Sequence, residues 1–152
     1  MNVIIRKATI QDIDTISVLF DNYRIFYKQV SDIASAKIFI SERINNIESI
    51  IFVAEENKQV VGFTQLYPIF SSVSLSRTWL LNDLFVSEGS RGKGYADALL
   101  LAAQKHGAET NSKWLMLQTA IDNHAAQKVY ERNGWKKDVD TFTFYKTINE
   151  PI

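Results

Sequence analysis

The chain opens on a short β-branched run, Val3-Ile4-Ile5, and the next polar stretch, Thr9-Ile10-Gln11-Asp12, has the layout of a helix capping box. Beyond it Ile13, Ile16, Phe20 and Tyr23 recur at steps of three, four and three, which places them on one face of a helix. Ile40, Ile44 and Ile47 predict a second helix after the polar residues around Ser31 to Ser35, with a poorly marked start. From Ile50 the period becomes that of a strand. IIFVAEE, a polar turn at Asn57-Lys58 and QVVGFTQLYPIF predict an antiparallel hairpin that Pro68 should end. After a Ser-rich loop, TWLLNDLFV at 78–86 is nearly all apolar, the pattern of a central strand buried on both faces.

SEGSRGKGYADALLLAAQKHG then passes from turn residues into a strong helix that Gly107 is placed to terminate. WLMLQT at 114–119 reads as another buried strand. Asn123 is positioned to cap a helix running through Asn133, Gly134 fits the position just past its end, and TFTFY at 141–145 alternates as a final strand. The predicted order is strand, two helices, three strands, helix, strand, helix, strand. That is a mixed sheet covered by helices, of the α/β or α+β class.

At 152 residues the chain is the size of a single domain, and neither an internal repeat nor a linker divides 1–152. Seventeen basic and seventeen acidic residues give a formal charge of zero, so no global field draws the chain to nucleic acid or an anionic membrane. Any ionic recognition has to be local. Cysteine is absent, which removes disulfides, thiolate metal sites and a cysteine nucleophile together. His106 and His124 are far from a zinc-binding spacing, so no metal is expected. The apolar start is shorter than the ~7 to 15 residues of a secretory signal. The run Ala98 to Ala103 is far below the ~20 residues that span a bilayer, so a cytoplasmic protein with no membrane partner is the expectation.

Half of the six glycines, Gly89, Gly92 and Gly94, fall between a buried strand and a helix N-terminus, where backbone amides and the helix dipole bind phosphate. Two nucleotide motifs fail on spacing. Gly89 and Gly94 match the two glycines of a Walker loop, but Tyr95-Ala96 stands where Lys-Ser/Thr must reach phosphate and magnesium. A dinucleotide fingerprint needs glycine where Asp97 stands, and it belongs in the first strand–helix turn of its unit.

Arg91-Gly92-Lys93-Gly94-Tyr95-Ala96 instead resembles the Q/R-x-x-G-x-G/A pyrophosphate loop of the GNAT N-acetyltransferase superfamily. Thirty residues on, the stretch from Asn123 through Ala126, Tyr130 and Gly134 to Trp135 resembles the family's N-x-x-A-x-x-x-Y-x-x-x-G-F/W helix. Asn123, Ala126 and Tyr130 share one helical face. The likeness is specific from about 78 to 135 and generic before that. It implies a mixed six- to seven-stranded sheet with helices on both faces, whose fourth and fifth strands splay in a V that admits acetyl-coenzyme A. It further implies that backbone groups of Leu84, Phe85 and Val86 pair with the cofactor. By the same likeness Asn123 bonds it, Ala126 leaves it room, and the Tyr130 hydroxyl lies by the thioester sulfur. Arg91 and Lys93 are placed to add charge-assisted contacts.

An amine acceptor with a pKa near ~10.4 is mostly protonated at neutral pH, so attack on a thioester needs a route for its proton. Asp83 interrupts an apolar strand and is the carboxylate candidate for that role; a structural Asp at a β-bulge is its bland alternative. Many relatives carry Glu where this chain has Asn82, which cannot act as a base but can order a water. Tyr130 is the candidate acid for the departing thiolate. Without a cysteine, direct transfer in a ternary complex is expected. Arg24 and Tyr27 on the first helix and Tyr67 after the hairpin resemble acceptor-wall segments of small-amine acetyltransferases. Asp21, Asp32 and Glu42 offer an acidic groove for a diamine, or else a solvated face. A polyamine or other small primary amine is the favoured acceptor, and a histone-like peptide lysine the next. A catalytically inactive acetyl-coenzyme A sensor and a mere scaffold are the non-enzyme readings. Relatives are often homodimers, though no stretch here marks an interface.

Overall fold

The Thr9 amide donates to the Asp12 carboxylate at 2.7 Å and the Thr9 hydroxyl caps the same turn. The chain therefore leaves β1 (Val3–Lys7) through the 3-10 turn Ile10–Asp12 straight into α1 (Ile13–Phe26). In the computed structural model, which describes residues 3–149, α2 (Ile33–Asn45), β2 (Ile50–Glu56), β3 (Gln59–Ser71) and β4 (Ser76–Val86) follow. A 3-10 turn at Glu88–Ser90 leads to α3 (Tyr95–Glu109), β5 (Leu115–Met116) and α4 (His124–Arg132). The sheet order is β1-β2-β3-β4-β5, antiparallel through β4, with β5 parallel to β4.

Alternation along β2, β3 and β4 divides the core between two faces. Val53 and Phe63 meet Ile16, Phe20 and Ile40 of α1 and α2 on one side. Ala54, Leu66, Trp79 and Leu81 meet Leu99, Leu100 and Ala103 of α3 on the other. The register of β3 and β4 slips by one residue: Gln65 faces Asp83 and Leu66 faces Leu81, so Asn82 is a bulge. Leu81 stays on the α3 face, and Asp83 is turned to the α1 face together with Gln65.

Several sequence expectations need correction. β3 runs through Pro68, which pairs with Trp79, because the β2 ladder begins only at Ile50 opposite Leu66. Beyond Leu66 that side of β3 is an edge where the missing N–H costs no ladder bond. α2 starts well before Ile40, capped by the Asp32 side chain on the Ser35 amide. Gly107 does not end α3. A Cβ there would stand 3.1 Å from the Leu115 side chain, so this glycine serves close helix–strand approach. The strand at 114–119 shrinks to two half-exposed residues. The expected final strand is absent among the described residues, and the sheet has five strands rather than six or seven. Phe142 and Phe144 are 91% and 90% exposed. Alternation specifies which face a side chain takes, but not the backbone partner that a strand also needs.

Two ion pairs predict how the fold responds to acid. Hydrogen bonds from Arg6 hold the Asp12 carboxyl at about 2, and those from Arg132 hold Asp97 at about 2, against an ordinary 3.8. Both pKa values are depressed on folding, so the stability they contribute is present above about 4 and is lost as pH falls towards 2. Urea midpoints measured across that window should fall with pH, and Asp97→Asn should flatten the decline. An unchanged slope in that variant would remove Asp97 from the account.

Candidate functional site

β4 delivers the chain into the glycine loop at one end of the sheet. Gly92 and Gly94 have φ of +75° and +82°, a left-handed backbone that side chains with a Cβ resist. A Cβ on either would meet nothing within 4 Å, so the loop fronts open space. Gly94 is the N-cap of α3 and offers no side-chain acceptor, which leaves the first amides of α3 for an outside anion. The two basic side chains are engaged within the protein. Arg91 Nε donates to the Val86 carbonyl at 3.0 Å, its guanidinium 5.6 Å from the Phe85 ring centre, and Lys93 Nζ lies 2.9 Å from Glu56.

Beside this loop β4 loses its neighbour. The parallel ladder joins only Trp79 to Leu115 and Leu80 to Met116, so the edge of β4 that carries Leu84, Phe85 and Val86 has no strand beside it among the described residues. This is the V-shaped opening. A cradle of backbone amides at its mouth and an unpaired strand edge along its wall fit an extended, amide-bearing pyrophosphate such as acetyl-coenzyme A.

Asn123 Oδ1 accepts from the Ala126 amide at 3.2 Å, so Asn123 caps α4. Asp97, in the first turn of α3, holds the other end of α4. It accepts from Arg132 at 2.7 and 2.6 Å and from Asn133 at 2.7 Å. Tyr130 is thereby fixed relative to the glycine loop. Its ring centre lies 6.4 Å from that of Trp135, and burial, with Tyr27 nearby, pushes its phenol up to about 12.

The bulge assembles the rest. Asp83 is 1% exposed; one oxygen accepts from Gln65 Nε2 at 2.5 Å and the other from Asn82 Nδ2 at 2.7 Å. Gln65 in turn accepts from Ser49 at 2.8 Å. Burial raises the Asp83 pKa against these hydrogen bonds. Tyr23 donates to the Asn82 carbonyl at 3.0 Å, and its ring is tilted against that of Tyr27, centres 4.9 Å apart. Tyr23, Tyr27 and Tyr67 all have raised pKa values, from burial first and then from the Asp83 charge. The chain thus brings Asp83, Asn82, Tyr27, Tyr67 and Tyr130 into one neighbourhood.

Other candidates lie elsewhere. Arg24 Nη1 lies 3.9 Å from Asp21. The acidic groove does not form. Asp21 is buried and accepts from Ser31 and the Asp32 amide, Asp32 caps α2, and Glu42 lies 3.3 Å from Arg43. Sequence reasoning missed Glu56, Gln65 and Ser49. Of these only Gln65 left a signal, as a polar residue inside an apolar strand. Among the described residues no group of three His, Cys, Asp or Glu side chains is placed to hold a metal ion, and no helix is long and apolar enough to cross a membrane.

A sequence profile of the Acetyltransferase (GNAT) family matches residues 16–135. The chain is 47% identical over 134 residues to an uncharacterized N-acetyltransferase, YhfO, of Bacillus subtilis (strain 168), covering 88% of this chain and 90% of the relative. Among solved structures, a probable acetyltransferase superposes with a TM-score of 0.90 at 37% identity, covering 99% of this chain and 100% of the other. An aminoglycoside N-acetyltransferase in complex with CoA shares the fold, with a TM-score of 0.80 at 18% identity, covering 96% and 95% of the two chains.

Proposed function

The chain belongs to the acetyltransferase (GNAT) family and is an acetyl-coenzyme A-dependent N-acetyltransferase, and from that premise we propose that it acts, as a single domain over 1–152, on a small primary amine held beside the tyrosines that surround Asp83. The observation that carries this reading is the buried Asp83 beside Tyr23, Tyr27 and Tyr67. Aromatic faces and a desolvated carboxylate are the chemistry that attracts an ammonium group. Asp21, Asp32 and Glu42 are engaged elsewhere, so of the candidate carboxylates Asp83 alone stands beside the tyrosines. A monoamine therefore fits better than a polyamine.

When bound, acetyl-coenzyme A supplies the thioester that the amine attacks. The residues that would hold it are the backbone of Leu84, Phe85 and Val86, the loop from Arg91 through Gly92, Lys93, Gly94 and Tyr95 to Ala96, and the α4 face of Asn123, Ala126 and Tyr130. Asp83 takes the acceptor's proton, directly or through a water held at Asn82. In the resting protein Gln65 and Asn82 donate one hydrogen bond to each of its oxygens, with the Tyr23 hydroxyl beside them. Tyr130 keeps the proton on Oη that the departing sulfur needs.

Asp83→Asn tests the base. A raised carboxyl pKa means that activity is present above that pKa and lost as pH falls through it. The substitution should remove the acidic limb of the kcat/KM profile and lower kcat/KM at neutral pH. Gln65 and Asn82 both donate to Asp83, so one donor then meets an amide it cannot satisfy, at a cost of about 1–3 kcal/mol of stability. Thermal melts of the same samples separate that loss from the chemistry. An acidic limb that survives would make Asp83 structural. The function itself is tested by calorimetric titration of acetyl-coenzyme A, followed by thiol release on a panel of monoamines, polyamines, amino acids and lysine peptides. Turnover confined to lysine peptides would overturn the small-amine reading, and binding without turnover on any amine would favour a sensor.

A further inference from the structure

Glu56 is the last residue of β2, and its backbone is paired on both sides, with Val3 of β1 and with Gln59 of β3. From there its carboxylate reaches across to the glycine loop and contacts three successive parts of it. It lies 3.4 Å from Ser90 Oγ in the entering turn, 2.9 Å from Lys93 Nζ at the apex, and 2.7 Å from Tyr95 Oη in the first residue of α3. The Glu56 side chain is 12% exposed, so these contacts form partly out of water. Lys93 and Tyr95 flank Gly94, and Gly92 precedes Lys93. The two residues with the freest backbone in the loop are thus bracketed by the groups that Glu56 holds.

A loop with two left-handed glycines has many conformations open to it, and binding from a loose ensemble loses affinity to the cost of ordering it. The Ser87 amide, which donates to the Val61 carbonyl at 2.8 Å, ties only the loop's start to the hairpin. Arg91 Nε, on the Val86 carbonyl, adds a second tie, and the contacts that reach across from β2 to Ser90, Lys93 and Tyr95 all come from Glu56. Its pairing also neutralises Lys93 without placing an unpaired negative charge beside the anion site.

We infer that Glu56 is a positioning residue for the glycine loop: by holding Ser90, Lys93 and Tyr95 it presets the amide cradle of 92–95 for the pyrophosphate of acetyl-coenzyme A. This rests on the assignment of acetyl-coenzyme A to that loop. Glu56 does not touch the reacting atoms, so its effect belongs in cofactor affinity and not in the chemical step.

The test is calorimetric titration of acetyl-coenzyme A, with steady-state kinetics alongside, on wild type, Glu56→Ala, Glu56→Gln, Tyr95→Phe and Glu56→Ala/Tyr95→Phe. Glu56→Ala should raise Kd and KM for acetyl-coenzyme A about tenfold, with kcat and the acceptor KM within about twofold of wild type. Glu56→Gln, which keeps an acceptor for Tyr95 Oη, should recover most of the affinity. Tyr95→Phe should weaken binding alone yet add nothing to Glu56→Ala, because the two act through one contact. A Glu56→Ala variant that binds like wild type, loses kcat at unchanged KM, or is additive with Tyr95→Phe would overturn the inference. So would Glu56→Gln binding as weakly as Glu56→Ala. A general loss of folded protein lowers apparent kcat and the number of binding sites without moving Kd, so it is told apart within the same data. If wild type itself fails to bind acetyl-coenzyme A, the cofactor assignment falls; if wild type binds and Glu56→Ala is unaffected, the positioning role alone falls.

Discussion

Gly94→Val is expected to remove measurable acetyl-coenzyme A binding, a loss of at least about 100-fold, in a protein that remains folded. Two effects act together at this position. Gly94 sits at φ +82°, and a β-branched residue there is strained by roughly 1–3 kcal/mol. The added side chain also projects into the open space in front of the loop, where no protein atom lies within 4 Å of a Cβ. That space is where the pyrophosphate must approach the first amides of α3. The strain is a modest share of the ~5–15 kcal/mol that keeps an ordinary domain folded, so the melting temperature should fall without abolishing the transition. Gly89 supplies the control. It too has open space around its Cβ position, but its φ is not positive, so Gly89→Ala should bind acetyl-coenzyme A normally. Titration heats that persist in Gly94→Val would move the anion site away from 91–96.

The loop was legible in the sequence because its chemistry is local. Glycines that must adopt positive φ, placed between a buried strand and a helix N-terminus, leave a pattern that survives without any knowledge of the fold. The same holds for Asn123, whose capping role follows from its place before an amphipathic turn. The bulge at Asn82 is different. Its cause is a register slip against Gln65 and Leu66, a relation between residues far apart in the chain, and TWLLNDLFV alone shows only that two polar residues interrupt an apolar run. That slip decides which face Asp83 takes, and so whether the carboxylate meets the tyrosines or α3. Glu56 was illegible for a related reason. A glutamate at the end of an edge-proximal hairpin strand is the commonest of solvated residues, and its three loop partners are separated from it by more than thirty positions. Residues 141–145 show the converse: a clean alternation, with no partner strand among the described residues. Patterns that one element satisfies by itself are readable, and those that need a partner are not.

Tyr130→Phe is expected to lower kcat by about 10² to 10⁴-fold, the usual contribution of a general acid, while Kd for acetyl-coenzyme A stays within about twofold. The phenol qualifies for the role by its protonation. Burial, with Tyr27 nearby, holds it at about 12, so it retains its proton throughout the neutral range and gives it up only at strongly basic pH. Its position qualifies it as well. The Trp135 amide donates to the Tyr130 carbonyl, and the Asp97 contacts bind the end of α4 to the first turn of α3, the helix that opens at the glycine loop. A ring so placed moves with the loop, which is the condition for a proton to be delivered to a sulfur held there. Phenylalanine preserves the ring, its packing against Trp135 and the small-residue face at Ala126, so the removed hydroxyl is the whole of the perturbation. Rapid-mixing measurement of the acetyl-transfer step distinguishes chemistry from product release. If that step proceeds at the wild-type rate in Tyr130→Phe when chemistry is limiting, the thiolate takes its proton from water and Tyr130 only shapes the cavity.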